Sequence, residues 1–448
     1  MADSIGRPKF STVVRSWYEG LTGSAVGGRF THGALWSLLG AVASRGLQLA
    51  ALVLVARTLG EVRFGELGVI QSTVGMFATF AGFGLGVTAA KHVAEFRHTD
   101  PERAGKILAL SEIGSILVAT CFALALVGLA VFLATNTLAA PHLAPYLRAS
   151  AAFLFFTTLN DVQTGGLSGF EAFRAIARVG LWGGLATFAL LTLGAYAWGV
   201  QGAVWSMAAS ASISWALSRS ALQREIETAK MPIARPRVRE DLRVLWQFSL
   251  PAVMAGAMVG PVNWICSAIV VNRTDGYAEM GFFSAANQWR MAILFLPNLI
   301  GGVALPILAG LHGARDHIQY QKTLYYSVLT NGCVSFCIAV GVSLVSPWIM
   351  LLYGESYGAH FPVLIMLSIC AVLMAVCSVI GQGIASEGRM WAGFSLNAIW
   401  GAALVTATWL WRDRGAYGLA SANVLAYGIH LITIGAYLFS RRRRDATE

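Results

Sequence analysis

Two guanidinium groups sit where a charge is costly. Arg45 lies inside "AVASRGLQLA" and Arg290 inside "ANQWRMAILF", both within long apolar runs. An arginine at the centre of a membrane helix costs about 2.5–3.5 kcal/mol on insertion scales, so both are expected to face a protein-lined or wet cavity. The planar arginine fork matches phosphate oxygens two at a time. One acid, Asp161 in "TTLNDVQTGG", lies in a third apolar run beside Asn160. Two cations against one acid leave a surplus positive charge, which suits an anionic ligand. The alternative is an ion pair, in which Asp161 neutralises one arginine and only locks the bundle. Otherwise Asp161, with Asn160, is the candidate for coupling to a proton or sodium ion.

Amide side chains surround these charges in sequence: Gln48, Gln71, Asn263, Asn287 and Gln288. Each could contact a ligand or simply tie one helix to another. The cluster Asn287, Gln288, Arg290 is denser than helix adhesion needs. Trp264 and Trp289 could stack on sugar faces or pack in the core. Other chemistry is missing. "ERAGKILALS" has Gly105 and Lys106 but lacks the earlier Gly and the following Ser/Thr of a phosphate loop, so this chain is not expected to burn ATP. No HExxH, nucleophile elbow or clustered carboxylate pair occurs. Cys121, Cys266, Cys333, Cys337, Cys370 and Cys377 all lie in apolar runs, with no Cys-x-x-Cys and no His at ligand spacing, and read as small membrane residues. Neither an enzyme, a cofactor nor a metal site is expected.

The elements that must position these groups follow from composition. Of 448 residues 56% are hydrophobic and 12% charged, against about 25% charged in soluble domains; the mean hydropathy is +0.63. Lipid is therefore the solvent, and backbone groups in lipid must be satisfied internally. The apolar runs do not alternate, so they are helices rather than barrel strands. Twelve spans are expected, near 33–56, 66–90, 107–134, 147–169, 177–198, 200–218, 245–270, 281–309, 323–346, 361–386, 391–411 and 416–439. With the N-terminus inside, inner segments hold 24 of the 32 Lys and Arg and outer loops six, which obeys the positive-inside rule. The same distribution explains the net charge of +10 without nucleic acid, and "RRRR" at 441–444 reads as a topology and lipid anchor. Trp198, Trp348, Trp409 and Trp411 fit an interfacial belt.

The first six spans also map onto the last six at an offset of 216. Arg57-Thr58-x-Gly60-x4-Gly65 matches Arg273-Thr274-x-Gly276-x4-Gly281, Gly199 and Gly202 match Gly415 and Gly418, and Glu171 matches Glu387. Six is even, so the repeat is parallel, with a pseudo-twofold along the membrane normal, as recurs among secondary transporters. Gly would supply the bend in the repeated corner, and Arg and Thr would bond free carbonyls at the helix end. The chain then divides into a cytoplasmic amphiphilic tail (1–32, with Phe10, Val13, Val14 and Trp17 on one face beside Lys9 and Arg15), a first bundle (33–219), a basic linker (220–243), a second bundle (244–440) and a basic tail (441–448).

The stretch "GALWSLLGAVASRGLQLAALVLVARTLGEVRFGELGVIQSTVGMFATFAGFGLGVTAAKHVAEF" resembles the N-terminal region of bacterial polysaccharide flippases. These are the O-antigen and exopolysaccharide family of the multidrug/oligosaccharidyl-lipid/polysaccharide exporter superfamily. Ala56, Arg57, Leu59, Gly60, Phe64, Gly65 and Gly82 to Gly86 carry the likeness; "GFFSAANQW" from Gly281 fits more loosely. The resemblance implies an all-α integral membrane protein whose twelve transmembrane helices form two six-helix bundles around a V-shaped central cavity, working by alternating access. It implies a polyprenyl-pyrophosphate-linked oligosaccharide as cargo, carried across the bacterial cytoplasmic membrane with both termini cytoplasmic, for O-antigen or exopolysaccharide export. A cationic lumen would grip the pyrophosphate, and by position Arg45 and Arg290 are the candidates. Membrane lipids, a proton or sodium gradient and polymerase or chain-length proteins are the expected partners; nucleic acid is not. Two other readings stay open: an ion-coupled drug or cation antiporter of the same superfamily, and a membrane glycosyltransferase, polymerase or ligase.

Overall fold

The computed structural model describes residues 25–82, 84–232, 257–314 and 316–445. The tail face formed by Phe10 to Trp17, residues 233–243 of the linker and the start of the seventh expected span lie outside them. No strand occurs among the described residues. The elements are α1 (Ala25–Ala81), α2 (Leu85–Phe96), α3 (Pro101–Phe132), α4 (Ala144–Gly169), α5 (Phe173–Thr228), α6 (Val259–Val271), α7 (Gly276–Gly313), α8 (His317–Leu344), α9 (Ser346–Tyr353), α10 (Glu355–Gly358), α11 (Phe361–Ser386), α12 (Met390–Leu410) and α13 (Gly415–Asp445).

Local sequence starts and bends these helices. Asp100 caps α3 by accepting from the Arg103 amide at 3.1 Å, with Pro101 in the first helical position, where its missing N–H costs nothing. Asp316 caps α8 the same way through Gln319 at 3.0 Å. α1 bends at Gly60, whose φ of 75° is open to glycine. α5 bends at Trp198 and Gly199. The expected helix across 66–90 is interrupted between Ala81 and Leu85.

Among the described residues, eight helices are long and apolar enough to cross a membrane. Much of their apolar surface faces outward, including Leu117, Leu124, Leu193 and Leu344; Trp198 at the bend of α5, Trp348 on α9 and Trp409 near the end of α12 are exposed as well. Side chains of this kind are stable outward only against lipid, and the chain is a multi-pass membrane protein. All six cysteines are free thiols. Helices before residue 232 pack mainly on one another, α1 and α4 against α5 and α3 against α4; those after 257 do likewise, around α11. The two sets meet where α1 runs along α6 and α7.

That meeting is closest at the repeated corner. A Cβ at Gly65 would lie 1.8 Å from the Tyr277 carbonyl oxygen, and one at Gly281 would lie 2.2 Å from that of Glu61. The backbones touch, and only glycine permits it. Here the expectation needs correcting. In the first corner Gly60 makes the bend; in the second the positive φ belongs to Asp275, and the matching second glycines are used for contact rather than turning. Thr58 bonds its own helix, to the Leu54 carbonyl at 2.8 Å. Arg57 does bond carbonyls at a helix end, but the helix is α9 of the other set: Nε to Leu352 at 2.5 Å and Nη2 to Leu351 at 3.4 Å.

Further bonds latch the sets at this end. Ser356 donates to Glu61 at 3.0 Å, Tyr277 to the Leu138 carbonyl at 2.7 Å and Asn272 to that of Thr137 at 2.7 Å. Phe64 packs edge-on to Tyr357, and burial pushes the Tyr357 phenol above its ordinary value, so it stays neutral here.

Candidate functional site

Between the second segment of α1 and helices α6 and α7 lies a cavity of about 350 Å³. Gly68, Gln71, Ser72 and Thr79 line it from α1, Asn263 and Ser267 from α6, and Ser284, Asn287, Gln288 and Arg290 from α7. Asn423 of α13 closes the back. Among the described residues its wall carries one charged group, Arg290, and no carboxylate.

Arg290 is 5% exposed. Its Nη1 donates to Asn423 Oδ1 at 2.9 Å and lies 3.9 Å from Cys370 Sγ, while its Nε is buried without a partner. Asn287 Oδ1 is also buried without a partner. Arg45, half-buried on α1, reaches across to the second set: Nη2 donates to the Gln288 carbonyl at 3.4 Å, Nη1 to Gln48 at 3.2 Å, and Nε has no partner. Arg45 thus bonds the segment that carries Arg290, but neither Arg45 nor Gln48 is among the residues that line the cavity. Neither meets a carboxylate among the described residues. A buried donor left unsatisfied costs about 1–3 kcal/mol.

The other expected residues divide. Gln71, Asn263, Asn287, Gln288 and Arg290 share the cavity, although Asn263 also bonds its own helix at Val259, 2.7 Å away. Trp264 and Trp289 do not line it. Trp264 Nε1 donates to Thr73 at 3.0 Å and Trp289 Nε1 to the Tyr353 hydroxyl at 3.1 Å, and both rings pack on the central apolar core. Phenylalanine at either position is expected to lower thermal stability by about 1 kcal/mol, the net worth of one such bond. Transport should stay within about twofold, since no indole faces the cavity. Melting curves and flux assays on the two variants check this.

Asp161 lies apart. It sits on α4 with its backbone against Gly86, its side chain is exposed, and no ion pair joins it to Arg45 or Arg290. The alternative reading, a bundle-locking pair, is therefore not what these residues form. Asn160 accepts from Ser218 at 2.7 Å. Glu112, on α3, is an acid within an apolar run that does meet an arginine: it binds Arg219 at 2.8 Å and accepts from Gln163 at 3.2 Å. A lone glutamate in "ILALSEIGSIL" was the available signal. Nothing local marked Asn423, which looks like any helix-tying amide.

A family model described as "Polysaccharide biosynthesis protein" matches residues 30–312. The "EPS I polysaccharide export inner membrane protein EpsE" of Ralstonia nicotianae is 28% identical over 402 residues, covering 88% of this chain and 89% of the relative. Among solved structures, the inward-facing conformation of a multidrug resistance MATE family transporter of the MOP superfamily superposes with a TM-score of 0.76 at 17% identity, over 90% of this chain and 95% of that one. An outward-facing conformation described in the same words gives 0.67 at 17% identity, over 92% and 96%.

Proposed function

The chain belongs to the polysaccharide biosynthesis protein family, and from that premise we propose that it flips a polyprenyl-pyrophosphate-linked oligosaccharide from the inner to the outer leaflet of the bacterial inner membrane. The cycle is alternating access between two six-helix bundles, 33–219 and 244–440, joined by the 220–243 linker. The cargo serves exopolysaccharide or O-antigen export, delivered to polymerase and chain-length proteins. EpsE, a relative over most of its length, is named as an inner membrane export protein, which favours the same compartment and a transport role rather than catalysis.

Twelve crossings account for the helix lengths. The apolar stretches Gly40–Ala81 and Phe173–Thr228 have 42 and 56 residues, whereas a crossing of the ~30 Å hydrocarbon core takes about 20. Each is bent near its middle, at Gly60 and at Trp198–Gly199. The pseudo-twofold is supported by reciprocal contacts at the 216-residue offset: Gly65 on Tyr277, Gly281 on Glu61. It is also supported by Gly199 (φ 60°, ψ −139°) and Gly415 (φ 53°, ψ −134°), which share one unusual conformation. With the N-terminus cytoplasmic, the latched end is the outer one, and the conformation reads as inward-facing. The higher TM-score to the inward-facing neighbour, 0.76 against 0.67, agrees.

One observation carries the cargo's chemistry: the described cavity wall holds a buried arginine whose Nε has no partner, and no acid. Such a site favours a phosphate-bearing headgroup and disfavours a lipophilic cation. Arg45 and Arg290 grip the pyrophosphate, and Gln48, Gln71, Asn263, Asn287 and Gln288 serve the headgroup and first sugar. Asp161, with Asn160 beside it, carries the coupling ion; Asp161→Asn should then remove the response of transport to an imposed proton or sodium gradient while leaving gradient-free exchange, a split that flux under clamped gradients would read.

The deciding experiment reconstitutes the full chain in vesicles with a fluorescent polyprenyl-pyrophosphate disaccharide in one leaflet. Transfer to the other leaflet well above protein-free vesicles is expected. No acceleration, with uptake of a lipophilic cation instead, would return the antiporter reading.

A further inference from the structure

The arginine at the back of the cavity is held by a neutral group. Asn423 is 1% exposed on α13, beside the same cavity. Its Nδ2 donates to the Leu419 carbonyl at 2.9 Å, one turn earlier on its own helix, which fixes the amide orientation. Its Oδ1 is thereby turned to Arg290 Nη1, 2.9 Å away. A guanidinium offers five N–H donors in a rigid fork. With Nη1 engaged, the Nε/Nη2 edge remains, and Nε on that edge is buried with no partner. That edge has the spacing for two oxygens of one phosphate.

We propose that Asn423 is a positioning residue for the cargo headgroup: it orients Arg290 without neutralising it, leaving the charge and the Nε/Nη2 edge for an oxyanion. The proposal rests on the reading that the cavity accepts a pyrophosphate. Its logic lies in what asparagine is not. An aspartate of the same size would hold the arginine at least as firmly, through a charge-assisted bond, and would cancel the charge that recruits the ligand. An alanine would leave the charge but free the guanidinium and strip one buried N–H of its acceptor. Stability and binding therefore rank the two variants in opposite orders. A residue with a merely structural role moves both properties together.

The test uses the full chain in lipid nanodiscs, with farnesyl pyrophosphate as probe and farnesol as its uncharged control. Wild type should prefer the pyrophosphate by roughly tenfold or more, the scale of a charge-assisted bond. Asn423→Asp should melt at or above the wild-type temperature and yet lose roughly 10- to 100-fold in pyrophosphate affinity, with farnesol binding unchanged. Asn423→Ala should melt lower but lose only a few-fold in affinity, on the order of one loosened neutral contact. Wild-type discrimination combined with undiminished binding by Asn423→Asp would overturn the role of Asn423 and leave the cargo reading standing. So would a greater affinity loss in Asn423→Ala than in Asn423→Asp. Failure of wild type to distinguish the two probes would sink the cargo reading, and this proposal with it.

Discussion

Arg290→Ala is expected to cut translocation by roughly 10- to 100-fold, since a hydrogen bond to a charged group is worth about 1.5–3 kcal/mol. The protein should remain folded and inserted. Removing the side chain also removes the desolvation cost of a buried, unneutralised cation, and the groups it abandons are neutral, the Asn423 amide oxygen and the Cys370 sulfur. Arg45→Ala should cost less, about tenfold or below, because Arg45 is half-buried and held by longer contacts of 3.2 and 3.4 Å. Combining them should bring transport to background. Arg→Lys at either position should retain part of the activity, the charge remaining while the two-pronged edge is lost. Leaflet-transfer rates in vesicles, with gel filtration to certify folding, read all five variants. Full transport by the double alanine variant would end the proposed role.

A second large effect is expected far from the cavity. Gly65→Ala and Gly281→Ala should each destabilise the protein by about 1–3 kcal/mol or more, as overpacked contacts do. The added methyl would meet backbone, the Tyr277 carbonyl at 1.8 Å and the Glu61 carbonyl at 2.2 Å, and backbone held in two helices cannot turn aside as a side chain can. Relief requires parting the two helix sets at the latched end. Transport should therefore fall along with melting temperature. Gly128→Ala is the control, since nothing lies within 4 Å of a Cβ there. It should be neutral or stabilising by up to about 1 kcal/mol, the helix propensity gain. Unchanged melting of Gly65→Ala would refute the crossing geometry.

The sequence determined the solvent, the helical class and the two cations placed within apolar helices. Composition and run length act residue by residue, so the membrane-spanning character needed no coordinates, and the cost of burying Arg45 and Arg290 was equally local. The five amide and arginine positions that line the cavity were legible for the same reason: a polar side chain on an apolar helix must turn toward something polar. Tertiary structure decided what each polar group meets. Trp264 and Trp289 spend their N–H groups on Thr73 and Tyr353, Glu112 takes Arg219, Asp161 stays away from both arginines, and Asn423 supplies Arg290 with a neutral anchor. These partners stand 64 to 191 residues apart in the chain. The repeated corner shows the same division. Its glycines were visible as letters, but whether a glycine turns the chain or lets two backbones touch depends on which helix lies opposite, and that is fixed only when both sets pack together.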